Sequence, residues 1–390
     1  MKSKSLLVLL PVLTVALTSC GQVRKWDEHL DDYVYKMQYH QNFNILQLTD
    51  IHWNYNTSTS ASKTYLEKVI AEADAHIKAT QGNDRGIDLI ELTGDQFMLA
   101  NTYHVETFIK FFEAQANHYG FMYTVIWGNH DRHGLYNPNW IADQYKNAAH
   151  CIYIEPNDNL YGRSNFVINL MDATDTLALW QIANLDSGAS FSETAVSPFR
   201  EYDYIRKDQT QWWLKEHEKV GELVPTIAYY HIPQDENEKA WNMTRKAGST
   251  INHQFFKLEG FADNGMEEYA SDFIDEASKH NLKAAFSGHA HNVDWTVEYF
   301  DESWDLTHQK VVLGLGVKTG PELYFAHIEQ DSEDELMKEG INSVGISENF
   351  DLIGASLVTL KDTLGGFDLE HLYLNERESG DFVKWVEWAY

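Results

Sequence analysis

Short apolar runs separated by amphipathic stretches mark the first third of the chain. Residues 43–48, 87–92 and 121–127 have the length and the β-branched and aromatic content of buried strands. Residues 60–79 and 105–118 carry apolar side chains at helical spacing and are predicted to form the two intervening helices. Because parallel strands buried on both faces are almost continuously apolar, this order predicts a parallel sheet covered by helices.

The pattern changes after residue 131. Residues 165–170 and 177–185 are predicted to form a hairpin in an antiparallel second sheet. Further strands are predicted at 225–230, 282–286, 311–315 and 355–360, and further helices at 208–220 and 267–280. Residues 234–264 are polar and poorly periodic, so we expect a loop or lid near the site. The acidic stretch 329–339 is expected to be a solvated surface.

These elements predict a single α/β domain over residues 43–366. Residues 20–42 are then a short N-terminal spacer that leads into the domain, and residues 367–390 add an edge element. A hydrophobic content of 43% is that of a packed globular protein, and neither an internal repeat nor a Pro/Ser-rich linker divides the sequence.

The formal net charge of −29 limits the classes of partner. An acidic protein disfavours long polyanions such as nucleic acid or an anionic membrane surface, whereas small phosphorylated substrates remain compatible if a local cation attracts them. The sequence has two cysteines, Cys20 and Cys151, and we expect Cys20 to be part of a leader. Cys151 precedes an apolar run and is expected to be a buried, inert core residue, so no internal disulfide is predicted.

The N-terminus has the composition of an export signal. Lys2 and Lys4 precede an apolar run over residues 6–17 that is too short to span a bilayer comfortably. The run leads to Leu17-Thr18-Ser19-Cys20-Gly21, which resembles the bacterial lipobox, in which a cysteine is lipidated and becomes the mature N-terminus. The alternative is an ordinary signal peptide with an incidental cysteine. We predict a lipoprotein signal peptide over residues 1–19, lipidation at Cys20, and an exported protein anchored to the bacterial membrane at the cell surface.

Polar residues cluster at the ends of five predicted strands. The clusters are Asp50 with His52, Asp95, Asn129 with His130, His231, and His289 with His291. In an open α/β sheet the carboxyl ends of the strands meet at one crevice, which is where ligands bind. Imidazole favours Zn and Fe, while carboxylate and amide oxygens favour Mn, Mg and Fe, so the set suits two divalent or trivalent metal ions. A lone histidine is usually an ordinary core residue, but five such clusters at strand ends argue for a shared site.

These blocks carry a family resemblance. Asp50-Ile51-His52, Gly94-Asp95, Gly128-Asn129-His130-Asp131, His231 and Gly288-His289-Ala290-His291 resemble, in order, the motifs of the calcineurin-like metallophosphoesterase superfamily. The resemblance implies an α/β fold: a four-layer α/β/β/α sandwich of two mixed β-sheets flanked by helices. The stretches 184–188, 203–209 and 228–233 look like the purple-acid-phosphatase-like branch. Purple acid phosphatases proper have a tyrosine three residues after the Gly-Asp aspartate, where this sequence has Met98, so a tyrosinate-bound ferric ion is not implied.

Carried over residue by residue, the resemblance implies a role for each block. Asp50, His52 and His291 would bind one metal, Asn129, His231 and His289 the other, and Asp95 would bridge them. A metal-bound hydroxide would attack the phosphorus, and His130 would bind a phosphate oxygen and protonate the leaving group. Asp131 is implied as the partner of His130, and an N-cap role for Asp131 is equally compatible with the sequence. The metals would be Fe, Mn, Zn or Mg.

Three further residues are candidates for substrate binding. Arg132 and His133 directly follow the third block and are placed to contact a phosphate or a leaving group. Asp186 is a candidate to line the pocket, although a turn carboxylate in Asp186-Ser187-Gly188 is as plausible.

The leading functional hypothesis is a binuclear metallophosphoesterase that hydrolyses small phosphomonoesters or phosphodiesters. A second hypothesis is a nucleotide-directed or phospholipid-directed phosphodiesterase at the cell surface, in which residues 234–264 shape the pocket. A third, from a different class, is a non-catalytic surface binding module that keeps the fold. Turnover of a panel of phosphoesters by metal-loaded protein separates the three. The sequence leaves the natural substrate, the metal pair and the oligomeric state open.

Overall fold

The structure is a computed structural model, and it describes most of the chain. The described residues are 33–53, 59–132, 137–155, 160–189, 202–244, 253–257, 271–321, 327–328, 350–376 and 381–389. The proposed signal peptide, Cys20, His133 and the acidic stretch 329–339 lie outside them.

Eight strands form the first sheet. They are β2 (Phe43–Leu48), β3 (Leu89–Thr93), β4 (Met122–Ile126), β5 (Cys151–Ile152), β13 (His327–Ile328), β14 (Phe350–Leu360), β15 (Phe367–Glu376) and β16 (Asp381–Ala389). The order is β16-β15-β14-β2-β3-β4-β5, with β13 beside β14. The block from β2 to β5 is parallel, and β14, β15 and β16 are antiparallel to their neighbours. The first sheet is therefore mixed, because a C-terminal antiparallel part extends the parallel part that the sequence predicted.

Eight strands also form the second sheet. They are β1 (Val34–Gln38), β6 (Phe166–Met171), β7 (Ala178–Asn184), β8 (Thr226–Tyr229), β9 (His253–Lys257), β10 (Leu282–Ser287), β11 (Val293–Tyr299) and β12 (Val311–Leu315). Their order is β1-β6-β7-β8-β10-β12-β11-β9. β6 and β7 form the predicted antiparallel hairpin, but β7, β8, β10 and β12 are parallel. The prediction of an antiparallel second sheet was wrong, because long connections that contain helices return the chain in the same direction.

Six α-helices are assigned among the described residues. They are α1 (Thr59–Gln81), α2 (Thr102–Tyr119), α3 (Pro138–Asn147), α4 (Lys207–Val220), α5 (Asp235–Thr244) and α6 (Phe273–Ser278). None of the helices in the described part of the chain is long and apolar enough to cross a membrane. The prediction that residues 234–264 form a loop or lid was wrong, since this stretch contains both α5 and β9.

Alternating side chains place the two sheets back to back. In β8, Ile227 and Tyr229 belong to the larger apolar core, which also contains residues of the first sheet and of α1 and α2. Ala228 and Tyr230 belong to a smaller core on the other face, together with Trp213 of α4. The result is an α/β/β/α arrangement of two mixed sheets flanked by helices, so the fold prediction is confirmed.

Candidate metal centre and active site

All five polar blocks lie just beyond the carboxyl ends of strands. Asp50 and His52 follow β2, Asp95 follows β3, Asn129 and His130 follow β4, His231 follows β8, and His289 and His291 follow β10. The first sheet supplies the first three blocks and the second sheet the last two. Because the strand ends of both sheets meet at one edge of the sandwich, residues as distant in sequence as Asp50 and His291 come into contact there.

One cluster of potential metal ligands contains Asp50, His52, Asp95 and His291. His291 Nε2 lies 3.2 Å from Asp50 Oδ1 and 3.1 Å from His52 Nε2. His52 Nε2 lies 4.0 Å from Asp95 Oδ2. The first three side chains are buried and His291 is partly exposed, so the cluster opens to solvent on the side of His291.

A second cluster contains Asp95, His231 and His289. His231 Nε2 lies 3.4 Å from Asp95 Oδ1. The amide oxygen of Asn129 lies 3.1 Å from His231 Nε2 and 3.1 Å from His289 Nδ1, which adds a fourth donor. Asp95 contributes one carboxylate oxygen to each cluster and is therefore the group that joins them.

The donor set fits a pair of cations. Asp50 Oδ1 is buried and lies 3.2 Å from His291 Nε2, so two potential donor atoms face each other across the first cluster. Burial lowers the pKa of His52 and that of His289 to about 3, so both imidazoles are neutral at pH 7. Neutral imidazole nitrogens and carboxylate oxygens are the ligands that Zn, Fe and Mn take from proteins.

The shared aspartate controls the protonation of His231. Burial acts to lower the pKa of His231, but the charge of Asp95 outweighs it and raises the pKa to about 9. The Nδ1 atom of His231 lies 2.9 Å from the carbonyl oxygen of Thr93, which accepts a hydrogen bond from Nδ1–H in the tautomer that leaves Nε2 free for a metal. A metal ion held at this cluster would take the place of the Nε2 proton.

Several ligand residues have an unusual backbone. Asp50, His52, Asp95 and His289 have φ angles of 52°, 48°, 52° and 73°, which side-chain-bearing residues rarely adopt. Each such residue costs on the order of 1 kcal/mol and persists only where neighbouring contacts fix it. Gly128 allows the backbone after β4 to pack closely against Asp95, because a Cβ atom at this position would lie 2.2 Å from Asp95 Oδ1.

His130 and Asp131 follow the amide ligand in a short 3-10 turn, His130–Arg132. The backbone N–H of His130 donates to Asp95 Oδ1 at 2.8 Å, and its partly exposed ring lies 5.4 Å from the ring of His52. His130 belongs to neither ligand cluster. The carboxylate of Asp131 accepts from the N–H of Gly128 at 2.8 Å and from that of Phe97 at 3.0 Å, so it closes the turn. A role for Asp131 as the partner of His130 stays a prediction.

The candidate substrate-binding residues Arg132 and Asp186 contact each other. The Arg132 guanidinium donates to Asp186 Oδ1 in an ion pair that is largely buried. Asp186 is fully buried, and its carboxylate also accepts from the N–H of Gly188 at 2.9 Å and from that of Arg163 at 2.5 Å. Asp186 is thus the turn carboxylate that the sequence left open as an alternative. It orients Arg132, and substrate contact through Arg132 stays a prediction.

Two residues near the site were missed by the sequence analysis. The Thr49 hydroxyl donates to Asp50 Oδ2 at 2.7 Å and orients that carboxylate. The ring of Tyr202 lies edge-on to that of His289, with centroids 4.3 Å apart. A threonine before the first motif and a tyrosine outside every periodic segment carry no signal that could have identified them.

A family model described as calcineurin-like phosphoesterase matches residues 43–293, which is more than half of the 390 residues. The chain belongs to this family. The superfamily prediction is therefore confirmed, and the family is one of phosphoric ester hydrolases that typically bind a dinuclear metal centre. The match covers all five blocks.

Two solved structures show partial similarity. A purple acid phosphatase from yellow lupin (Lupinus luteus) seeds has 15% identity and a TM-score of 0.46, over 90% of this chain and 54% of that one. The sulfate thiohydrolase SoxB of a Thermus species has 9% identity and a TM-score of 0.35, over 91% of this chain and 57% of that one. The chain thus spans little more than half of the length of either structure. No curated protein matches the chain.

Proposed function

We propose that this protein is a binuclear metal-dependent phosphoesterase that hydrolyses small phosphomonoesters or phosphodiesters. The observation that carries the proposal is the position of Asp95, whose two carboxylate oxygens face different ligand clusters. In this proposal Asp50, His52 and His291 hold one metal, and Asn129, His231 and His289 hold the other. When bound, two such ions neutralise the charge of a phosphate ester and lower the pKa of water, so that hydroxide is available near neutral pH.

The protein's own contribution begins with preorganised ligands. The Thr49 hydroxyl and the backbone N–H of His289 both donate to Asp50 Oδ2, at 2.7 and 2.9 Å, which leaves Oδ1 directed at the cluster. The Thr93 carbonyl fixes the tautomer of His231 in the same way. Ligands held by a second set of bonds lose little conformational freedom when a metal binds.

His130 is the proposed general acid. Its backbone N–H is held by Asp95, which keeps the residue beside the shared carboxylate, while its partly exposed ring reaches solvent. An imidazole in that position can donate a proton to the leaving oxygen and recover it from water, a contribution of about 10²–10⁴ in rate.

A local cation supports an anionic substrate. The chain carries a net charge of −29, so an anion needs a specific attraction to approach. The Arg132 guanidinium, oriented by Asp186 in the turn that follows His130, is the proposed attraction. A long polyanion would also lie close to the acidic rest of the protein, which would repel it. This repulsion supports a small substrate instead of a nucleic acid polymer.

Export to the cell surface belongs to the same proposal. It is supported by the apolar run over residues 6–17 and by Cys20 in a lipobox-like sequence, which together suit a lipid-anchored bacterial protein.

The test uses Asp95→Asn and His231→Ala in protein that has been stripped of metal and reconstituted with Mn, Zn, Fe or Mg. Hydrolysis of p-nitrophenyl phosphate and of bis-p-nitrophenyl phosphate reports monoester and diester activity. Even outer-shell substitutions at metal sites cost about 10–100-fold, so each variant should lose more than about 100-fold in kcat/KM with both substrates where the wild type is active. Comparing the four metals identifies the pair that supports turnover.

The matched control is His118→Ala, which removes an exposed histidine on α2. It should retain wild-type activity with every metal. Unchanged activity in both Asp95→Asn and His231→Ala would refute the proposal. Uptake of two metals by the wild type without turnover of any phosphoester would favour the binding-module hypothesis instead.

A further inference from the structure

A short segment after β12 lies directly against the loop that carries Asp50 and His52. Two reciprocal bonds join them: the N–H of Thr319 donates to the Thr49 carbonyl at 2.8 Å, and the N–H of Thr49 donates to Thr319 Oγ1 at 3.1 Å. A third bond runs from the N–H of Gly320 to the carbonyl of Asp50 itself, at 3.2 Å. The segment 318–320 therefore holds a proposed metal ligand through its backbone.

Lys318 closes this segment from inside the protein. It is only 1% exposed, which is rare for a lysine, and its ammonium group donates to the carbonyl of Gly320 two residues later. The Lys318 carbonyl accepts from the N–H of Gly354 in β14 at 2.7 Å. The ammonium group of Lys318 thus holds the segment in a compact turn, and the bond from Gly354 attaches the segment to the first sheet.

The close approach of the segment requires the glycine. A Cβ atom at Gly320 would lie 2.3 Å from the carbonyl oxygen of Ile51 and 2.6 Å from that of Asp50. Since these are main-chain atoms of the ligand loop, any side chain at position 320 would displace the loop or the segment. The fit leaves almost no freedom in the spacing between them.

The ligand loop needs such support because of its backbone conformation. Asp50 and His52 both have positive φ, at 52° and 48°. Their N–H groups donate to the carbonyls of Gly94 and Asp95 at 3.1 and 3.0 Å, which restrains the loop from one side. The bonds from Thr319 and Gly320 restrain the carbonyls of the same loop from the other side.

We propose that Lys318, Thr319 and Gly320 are positioning residues that hold Asp50 and His52 in their metal-binding geometry. They set the affinity of the metal bound by Asp50, His52 and His291 without contacting the metal or the substrate. This inference rests on the proposed binuclear function. The segment contacts neither Asn129 nor His231 through any of the bonds that define it, so the second metal should be affected much less.

The deciding comparison is Thr319→Val with Thr319→Ser. Valine has the same shape but removes the oxygen that accepts from the N–H of Thr49, whereas serine keeps it. Gly320→Ala and Lys318→Met probe the other two contacts. The matched control is Thr359→Val, because the Thr359 hydroxyl also makes one buried hydrogen bond to a β2 residue, which it donates to Asn44 Oδ1 at 3.0 Å, at the opposite end of β2.

Each metal-free protein is titrated with Mn²⁺, and the spectroscopic signal of free Mn²⁺ reports how much metal is bound. Thermal unfolding of each metal-free protein is measured in parallel. In Thr319→Val, Gly320→Ala and Lys318→Met, one binding step should weaken about 10–100-fold and the other less than about threefold. Thr319→Ser and Thr359→Val should keep both steps at the wild-type affinity.

The outcomes separate this inference from the proposed function. If the wild type does not bind two Mn²⁺ ions, the binuclear proposal itself fails. If the wild type binds two and Thr319→Val binds both with unchanged affinity, the positioning role is refuted. It is equally refuted if both steps weaken together with a lower unfolding temperature, in Thr319→Val and Thr359→Val alike, since that pattern reflects general destabilisation.

Discussion

His217 gives the stability of the fold a definite dependence on pH. This histidine in α4 is fully buried, its ring stacks on that of Trp213 with centroids 5.0 Å apart, and Nδ1 lies 3.3 Å from Thr226 Oγ1. Its Nε2 atom is buried without a hydrogen-bond partner. The titratable neighbours are Glu222, which favours the charged imidazolium, and His280, which opposes it; burial dominates and lowers the pKa of His217 to about 4.

The sign follows from proton uptake in the unfolded state. Unfolded His217 has an ordinary pKa of 6.5, so below pH 6.5 the unfolded chain binds a proton that the folded protein excludes. Stability is therefore lost as the pH falls from about 6.5 to about 4. The pKa difference corresponds to about 3 kcal/mol in total, of which about 2 kcal/mol is lost by pH 5.

The assay is urea unfolding of metal-free protein at pH 7 and at pH 5, for the wild type, for His217→Leu and for the exposed control His118→Leu. The wild type and the control should lose about 2 kcal/mol more than His217→Leu between the two pH values. Other groups titrate in all three proteins and cancel in the difference. An equal loss in His217→Leu and the wild type would show that the buried imidazole is not the source.

The remaining predictions concern the site and the N-terminus. Asn129→Ala should lower metal content in elemental analysis, whereas His130→Ala should keep both metals and lose about 10²–10⁴ in kcat; an empty site in His130→Ala would contradict the division. Asp186→Asn should lower the free energy of unfolding in urea by about 3 kcal/mol, because it leaves the buried Arg132 charge unpaired, and a change below about 0.5 kcal/mol would exclude that pairing as a stabilising contact. Cys20→Ser should move the protein from the membrane fraction to the soluble fraction of a bacterial host with kcat unchanged, and an unaltered distribution would refute lipid anchoring.

The sequence predicted the parallel strands best. The predicted and observed bounds of the strand over residues 43–48 are identical. For the strands that end near Asp95 and Asn129, the predicted and observed bounds differ by at most two residues at either end. Their apolar runs are buried on both faces, so composition alone distinguishes them. The residues after them were predicted to converge, because parallel strands of one sheet end at one edge.

Other parts of the fold have no comparable local signal. The sequence predicts a loop where the structure has the helix Asp235–Thr244, because this segment is polar along most of its length, with Asp235, Glu236 and Glu238 in its first turn. Those acidic residues suit a helix N-terminus, where the helix dipole favours negative charge. The segment 318–320 lacks any motif, since the role of Thr319 depends on its contact with Thr49, 270 positions earlier in the chain.

The pairing of β2 with β14 has a consequence for when the site can form. Gln47, two residues before the ligand loop, pairs with Ser356, and Phe43 pairs with Leu360. The central strand of the first sheet therefore lacks one neighbour until β14, about 300 residues later in the chain, has been synthesised. Contacts this distant in sequence form late, because closing the intervening loop costs entropy before any bond forms. The candidate metal centre is consequently expected to form late in folding, after the ligands that follow β2 and β10 have both been synthesised.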